Sequence, residues 1–222
     1  MRFLSFAAAT FVMAGLASTI SAETVDFAEF ADGDLVSGPT TEDISILGDT
    51  VTADITGIGG TNLVYALDTD IAANDPDLKS PFVNIDDAND SRNFGTALIV
   101  QESGSPIPDD NVGGTIEFVF SEEVRVGDIF ILDAEEEVTV FADGIEVATS
   151  SSNGASDGPN GGANFFRILD LGMTDVTTLT VVFDGSGALG ALEITPVPLP
   201  ASLGFLLLGL GGLGAMRRFR KA

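Results

Sequence analysis

Val138-Thr139-Val140-Phe141-Ala142-Asp143-Gly144-Ile145-Glu146-Val147-Ala148 is the stretch whose reading decides the fold. Val138 and Val140 alternate with Thr139 and Phe141, a period of two that sends successive side chains to opposite faces of a strand. Asp143-Gly144 follows, and this dipeptide readily takes the positive φ angles that a two-residue hairpin turn demands. The stretch therefore predicts a β-hairpin with strands at 138–142 and 145–148.

The same period extends outward. Ile116, Phe118 and Phe120 alternate with Glu117, Val119 and Ser121, and Leu179, Val181 and Phe183 alternate with Thr178, Thr180 and Val182. Enrichment in Val, Ile, Phe and Thr marks these runs as strands. Further strands are expected at 24–28, 43–47, 51–56, 63–67, 97–101, 124–132, 164–169 and 188–195. No segment between them has a sustained helical period with caps. Ten to twelve short strands separated by Gly, Asp, Asn and Pro predict an all-β domain, an antiparallel β-sandwich of jelly-roll type. The stretch 68–92 is the longest without a clear strand, and long Asp/Asn/Pro-rich loops of this kind are often binding loops. The Ser/Gly/Asn-rich stretch 149–162 is expected to be an exposed loop.

The two ends have a different composition. Residues 1–22 begin with Met-Arg, continue through an apolar run from Phe3 to Leu16, and end in small residues before Ala22. That order is a secretory signal peptide, with the cut expected after Ala22. At the other end, Val197-Pro198-Leu199-Pro200-Ala201 precedes an apolar stretch to Met216 and the cluster Arg217, Arg218, Arg220 and Lys221. Pro200 suits the first helical position, so the helix expected is Pro200–Met216, roughly 25 Å at 1.5 Å per residue. This is short for a membrane span and relies on the basic tail reaching the headgroups. The positive-inside rule then keeps that tail in the cytoplasm and the preceding domain outside.

The C-terminal residues resemble the VPLPA variant of the PEP-CTERM sorting signal. The resemblance covers residues 197–222 and rests on three parts in order: the Val-Pro-Leu-Pro-Ala motif, the short Gly/Leu-rich span and the terminal basic cluster. It implies recognition by a membrane-embedded exosortase of a Gram-negative bacterium and cleavage near the motif. It also implies release to the cell surface or to an extracellular polysaccharide matrix. A plain single-span tail is the simpler alternative. The expected organisation is a signal peptide at 1–22, an exported domain at 23–196 and a sorting signal at 197–222.

The charge follows this division. The chain has 34 acidic and 9 basic residues, a net −25. All the acidic residues lie between Glu23 and Glu193, whereas only Lys79, Arg92, Arg125 and Arg167 of the basic residues do. Four against 34 leaves the exported domain at −30. Such a charge keeps a domain soluble, costs stability by self-repulsion and argues against nucleic acid as a partner. The chain has no Cys and no His. This excludes a disulfide framework, thiol or imidazole catalysis and the common zinc ligand sets.

Acidic turns supply the remaining candidates. Asp68, Asp75, Asp77, Asp109 and Asp110 form the preferred set for calcium, assembled from two or three loops, because that ion takes six to eight oxygens. No one loop matches the EF-hand pattern. Asp and Asn also favour turns with no ion present, so solvated turn residues are the simpler account.

A second resemblance runs from about residue 63 to 194. It rests on Asp75-Pro76-Asp77-Leu78, Leu98-Ile99-Val100-Gln101-Glu102, Pro108-Asp109-Asp110-Asn111, Gly113-Gly114-Thr115-Ile116, Ile131-Leu132-Asp133 and Phe183-Asp184-Gly185-Ser186-Gly187-Ala188. In that order they are similar to β-sandwich domains attached to bacterial surface-sorting signals, which implies fold and location rather than activity.

Three functional expectations follow. The first is a non-catalytic exported surface or matrix protein. The second is a calcium-dependent ligand- or polysaccharide-binding module. The third is an extracellular hydrolase working with two carboxylates. Catalysis is the weakest of these, because Gly185-Ser186-Gly187 is not a nucleophile elbow and no His exists to activate Ser186. Trp is absent and Tyr65 is the sole Tyr. The aromatic platforms common in sugar subsites are therefore scarce.

Overall fold

The computed structural model describes residues 22–37, 44–46, 51–58, 63–71, 78–101, 113–133, 136–150 and 164–197. Twelve strands follow one another: β1 (Glu23–Val25), β2 (Ile44–Ile46), β3 (Val51–Ile58), β4 (Val64–Asp68), β5 (Phe82–Asn84), β6 (Ser91–Arg92), β7 (Thr96–Val100), β8 (Gly114–Leu132), β9 (Val138–Ala142), β10 (Ile145–Ser150), β11 (Phe165–Phe183) and β12 (Ala188–Pro196). No α-helix occurs among the described residues. The all-β expectation therefore holds. Residues 1–21 of the expected signal peptide and residues 198–222 of the expected sorting segment lie outside the described residues.

The strands join into one 12-stranded sheet with the central order β10-β9-β11-β8-β12-β7-β4. Every pairing is antiparallel except β5 with β11, so the sheet is mixed. Its curl comes from β8 and β11, each 19 residues long and paired from Gly114↔Phe183 to Leu132↔Phe166. The free edge of β8 is divided. Its first half pairs with β3, and its second half pairs with β12. The free edge of β11 is divided in the same way between β9 and β5. The two halves of the long ribbon therefore belong to two arms of one sheet, and register shifts between Asp170 and Thr178 mark the change. Such irregularities bend a strand and increase its local twist. Gly172 and Asp175 have positive φ there, 55° and 61°.

Both arms close on one core. Ile116, Phe118 and Phe120 from one arm share a buried cluster with Leu98, Ile129, Ile131 and Leu189 from the other. A second, smaller cluster covers the opposite face of the β7–β12–β8 arm. Ala97 and Ile99, Phe130 and Leu132, and Ala188 and Ala191 point into it. These strands are thus buried on both faces, which explains the nearly continuous apolar runs Ala97–Val100 and Ile129–Leu132. The first half of β8 is covered on one face only. Its alternation is cleaner, and Val119 is left exposed.

The hairpin forms as the sequence predicts. Ile145 pairs with Ala142, and Asp143 and Gly144 take φ of 49° and 77°. The runs expected at 116–120 and 124–132 are one continuous strand, as are 164–169 and 179–183. Glu122 and Glu123 face solvent at the bend, where no turn is needed. Within 68–92 the structure adds two strands, β5 and β6. They are too short for a period to be read, and the apolar pair Phe82-Val83 was the only sign of them.

Candidate functional site

The register shifts leave one hollow where β8, β11 and β12 meet. Leu192↔Ile129 gives way to Ile194↔Val126 on one side of β8, and Asp170↔Asp128 gives way to Met173↔Val126 on the other. The bulged residues Gly127 and Asp128 sit between these shifts. The resulting cleft of about 380 Å³ is lined by Ala22, Arg125, Gly127, Asp128, Asp170, Gly172, Glu193 and Thr195. Its shape depends on Gly127: a Cβ there would lie 3.2 Å from Glu193 Oε2, so the Glu193 side chain crosses over a glycine.

Three carboxylates and one guanidinium make the cleft electronegative. Asp128 and Asp170 are directly opposed across the ladder, an arrangement that disfavours like charges. Thr195 is opposite Arg125. The cleft suits a small cationic or polar group. Among the described residues no three acidic side chains are grouped closely enough to hold a metal ion.

The cleft also marks where the chain enters and leaves. In β1, Glu23 pairs with Ile194, and Val25 pairs with Leu192. Ala22 therefore precedes the strand at the end where β12 finishes. Val197 follows β12 and donates its backbone N–H to the Glu123 carbonyl at 3.3 Å. The boundaries expected at 22/23 and 196/197 lie at one end of the sheet.

Of the calcium set, Asp68 is placed and Asp75, Asp77, Asp109 and Asp110 lie outside the described residues. Asp68 closes β4. Its backbone N–H donates to Asp32 Oδ1 at 3.0 Å, and its own Oδ1 accepts from the Asp70 N–H at 2.9 Å. Two acidic turns, distant in sequence, thus meet here. Of the expected sorting motif, Val197 is placed, while Pro198, Leu199, Pro200 and Ala201 and the basic tail Arg217, Arg218, Arg220 and Lys221 lie outside the described residues.

The acidic turn after β5 is organised by its own side chains. Asn84 Oδ1 accepts from the Asp86 N–H at 3.0 Å, and Asn84 Nδ2 donates to Asp90 Oδ2 at 3.2 Å. Arg92 grips Asp90 with two hydrogen bonds of 2.9 and 3.0 Å, and lies 5.2 and 5.3 Å from the ring centroids of Phe130 and Phe166. The Arg92 hydrogen bond holds the Asp90 carboxyl below its ordinary range, helped by Asn84. Asp143 is also held low, first by the Thr177 hydroxyl and then by the N–H groups of Thr178 and Thr177. Carboxylates kept ionised in this way act as acceptors within the fold. A general acid near neutral pH needs the opposite shift.

Arg125, Asp128, Asp170 and Glu193 were not legible as a group. They come from three strands far apart in sequence, and only the glycines beside two of them, Gly127 and Gly172, interrupt otherwise strand-like runs. No protein-family model matches the chain, and no curated protein matches it.

Proposed function

We propose that this chain is a non-catalytic exported protein of a bacterial surface or extracellular matrix. A leader at 1–22 delivers it, and the VPLPA-type signal at 197–222 directs its processing by an exosortase. One observation carries this reading: β1 and β12 pair so that Ala22 and Val197 leave the sheet at the same end. A leader and a C-terminal anchor can then occupy one membrane together while the domain folds on the outer side. Neither tail has to cross the domain. The −30 charge supports an exterior setting, where dissolved salt screens self-repulsion to within about 8–10 Å.

The sandwich architecture and its jelly-roll connectivity belong to the same proposal. The sheet's two arms, joined through β8 and β11 over a common core, support it. Before processing, the partners are the exosortase and the membrane, and afterwards an extracellular polysaccharide.

The second reading is a calcium-assisted polysaccharide-binding module. The meeting of the Asp32 and Asp68 turns favours it, because Asp68 leads into the segment that carries Asp75 and Asp77. Calorimetric titration of the full chain with calcium tests that reading. Sorting is tested by fractionating cells that express the full chain or its P198A/P200A variant beside an exosortase. The proposal expects wild type at the surface or in the medium and the variant retained in the inner membrane. Identical distributions would count against it.

A further inference from the structure

Asn89-Asp90-Ser91 is the one Asn-x-Ser/Thr triplet in the sequence, and its middle residue is not proline. This triplet is the acceptor pattern for amide-linked glycans on exported chains. Chance produces such triplets, so its position in the fold decides its weight. It lies in the turn from β5 to β6, where Asp86, Asp87, Ala88, Asn89 and Ser91 are all exposed.

The Asn89 side chain takes no part in the core. Its Nδ2 donates to Asp87 Oδ1 at 3.1 Å, and its backbone N–H donates to the same oxygen at 3.0 Å. The turn is held by other groups. The Asn84 N–H donates to the Asp90 carbonyl at 2.8 Å, the Asp90 N–H to the Asp87 carbonyl at 2.9 Å, and Arg92 grips the Asp90 carboxylate. A bulky substituent on Asn89 Nδ2 would displace one exposed side-chain hydrogen bond and leave these in place.

We propose that Asn89 is a glycan acceptor site. The donor is a polyprenyl-diphosphate-linked oligosaccharide, presented by a membrane-bound oligosaccharyltransferase. Asn89 Nδ2 attacks the anomeric carbon of the first sugar. The new C–N bond forms as the bond from that carbon to the diphosphate oxygen breaks. The amide nitrogen gives one proton to a base of the transferase, and the polyprenyl diphosphate leaves. The Ser91 hydroxyl, two residues on, is the group the transferase reads. In a cell the modification rests on the export reading above, because donor and transferase work on the exported side.

The test has two arms. In the first, purified full chain in detergent is mixed with a bacterial oligosaccharyltransferase and its lipid-linked oligosaccharide, beside a control acceptor peptide. Intact mass and peptide mapping should show one glycan, at Asn89. It should be lost in N89Q and S91A and kept in S91T, with thermal melts confirming that each variant folds. An unmodified wild-type chain beside a modified control peptide would overturn the proposal, as would full modification of S91A. The second arm co-expresses the same components in a Gram-negative host. A chain that has lost residues 1–22 yet carries no glycan overturns the acceptor site. A chain that keeps its leader overturns the export reading instead, and the first arm alone then decides the acceptor site.

Discussion

Glu23 lies opposite Ile194 in the antiparallel pairing of β1 with β12. Three residues of pairing place the start of the described domain beside its end, and Ala22 and Thr195 line the charged cleft there. The proposed leader boundary, the cleft and the first residue of the proposed sorting motif thus share one end of the sheet.

Phe27 anchors the segment that begins with β1. It is fully buried and stacks on Phe118 with ring centroids 6.4 Å apart. Truncation to alanine removes that burial and leaves a cavity, so Phe27→Ala should destabilise the domain by about 3–5 kcal/mol. Urea denaturation would show a lower midpoint with an unchanged slope. A wild-type midpoint would mean that residues 22–37 are not integral to the fold.

Asp143 ties the tip of the β9–β10 hairpin to β11. Its Oδ1 accepts from the Thr177 hydroxyl at 2.7 Å, the Thr178 N–H at 2.9 Å and the Thr177 N–H at 3.1 Å. Its folded pKa is lowered, chiefly by the Thr177 hydroxyl. The stabilisation is therefore complete above the unfolded value of about 3.9 and is lost as pH falls through the lower folded value. Asp143→Asn tolerates the positive φ but lacks the charge. It should be less stable than wild type by about 0.5–1 kcal/mol at neutral pH, because the site is exposed. The two melting curves should converge toward pH 2. A constant gap from pH 2 to 7 would contradict this account.

Gly113 is required for two reasons. Its φ is 68°, and a Cβ would lie 2.5 Å from the Phe183 carbonyl oxygen and 2.7 Å from that of Gly185. Both are backbone atoms, so no side chain can move aside. Gly113→Ala should cost about 1–3 kcal/mol from crowding alone, with the disfavoured backbone conformation adding to it. A thermal melt that matches wild type would show that the entry to β8 relaxes easily.

Asp128 and Asp170 are opposed across β8 and β11 in a domain that is already strongly negative. Asp170→Asn should stabilise by about 0.2–1 kcal/mol at low salt, and the gain should shrink as salt is added. Melting temperatures in 10 and 500 mM sodium chloride would test this. A loss of stability at low salt would mean that Asp170 has a favourable partner in the cleft.

Most strands were legible because one face of each is buried and the other is wet. The hairpin at Asp143-Gly144 could be placed to the residue, since its turn chemistry and its period agree. The continuity of β8 through Ser121–Glu123 was hidden. Polar residues there resemble a turn, yet they face solvent at a bend between two pairing partners. β5 and β6 were hidden by their length, and Phe82 owes its burial to Phe94, Phe130 and Phe166, which arrive from elsewhere in the chain. The cleft was illegible for a similar reason. It arises from register shifts, and the residue pattern of one strand does not show which residues of another will face it.

The central claim is that both boundaries are processed at the shared end. Intact mass spectrometry on the product of the full chain, expressed in a Gram-negative host with and without an exosortase, tests it most directly. The account predicts a chain that starts at Glu23 in both cases and is shortened near Val197–Ala201 only when the exosortase is present. A chain that keeps residues 1–22, or one whose C-terminus reaches Ala222 in both cases, would contradict it.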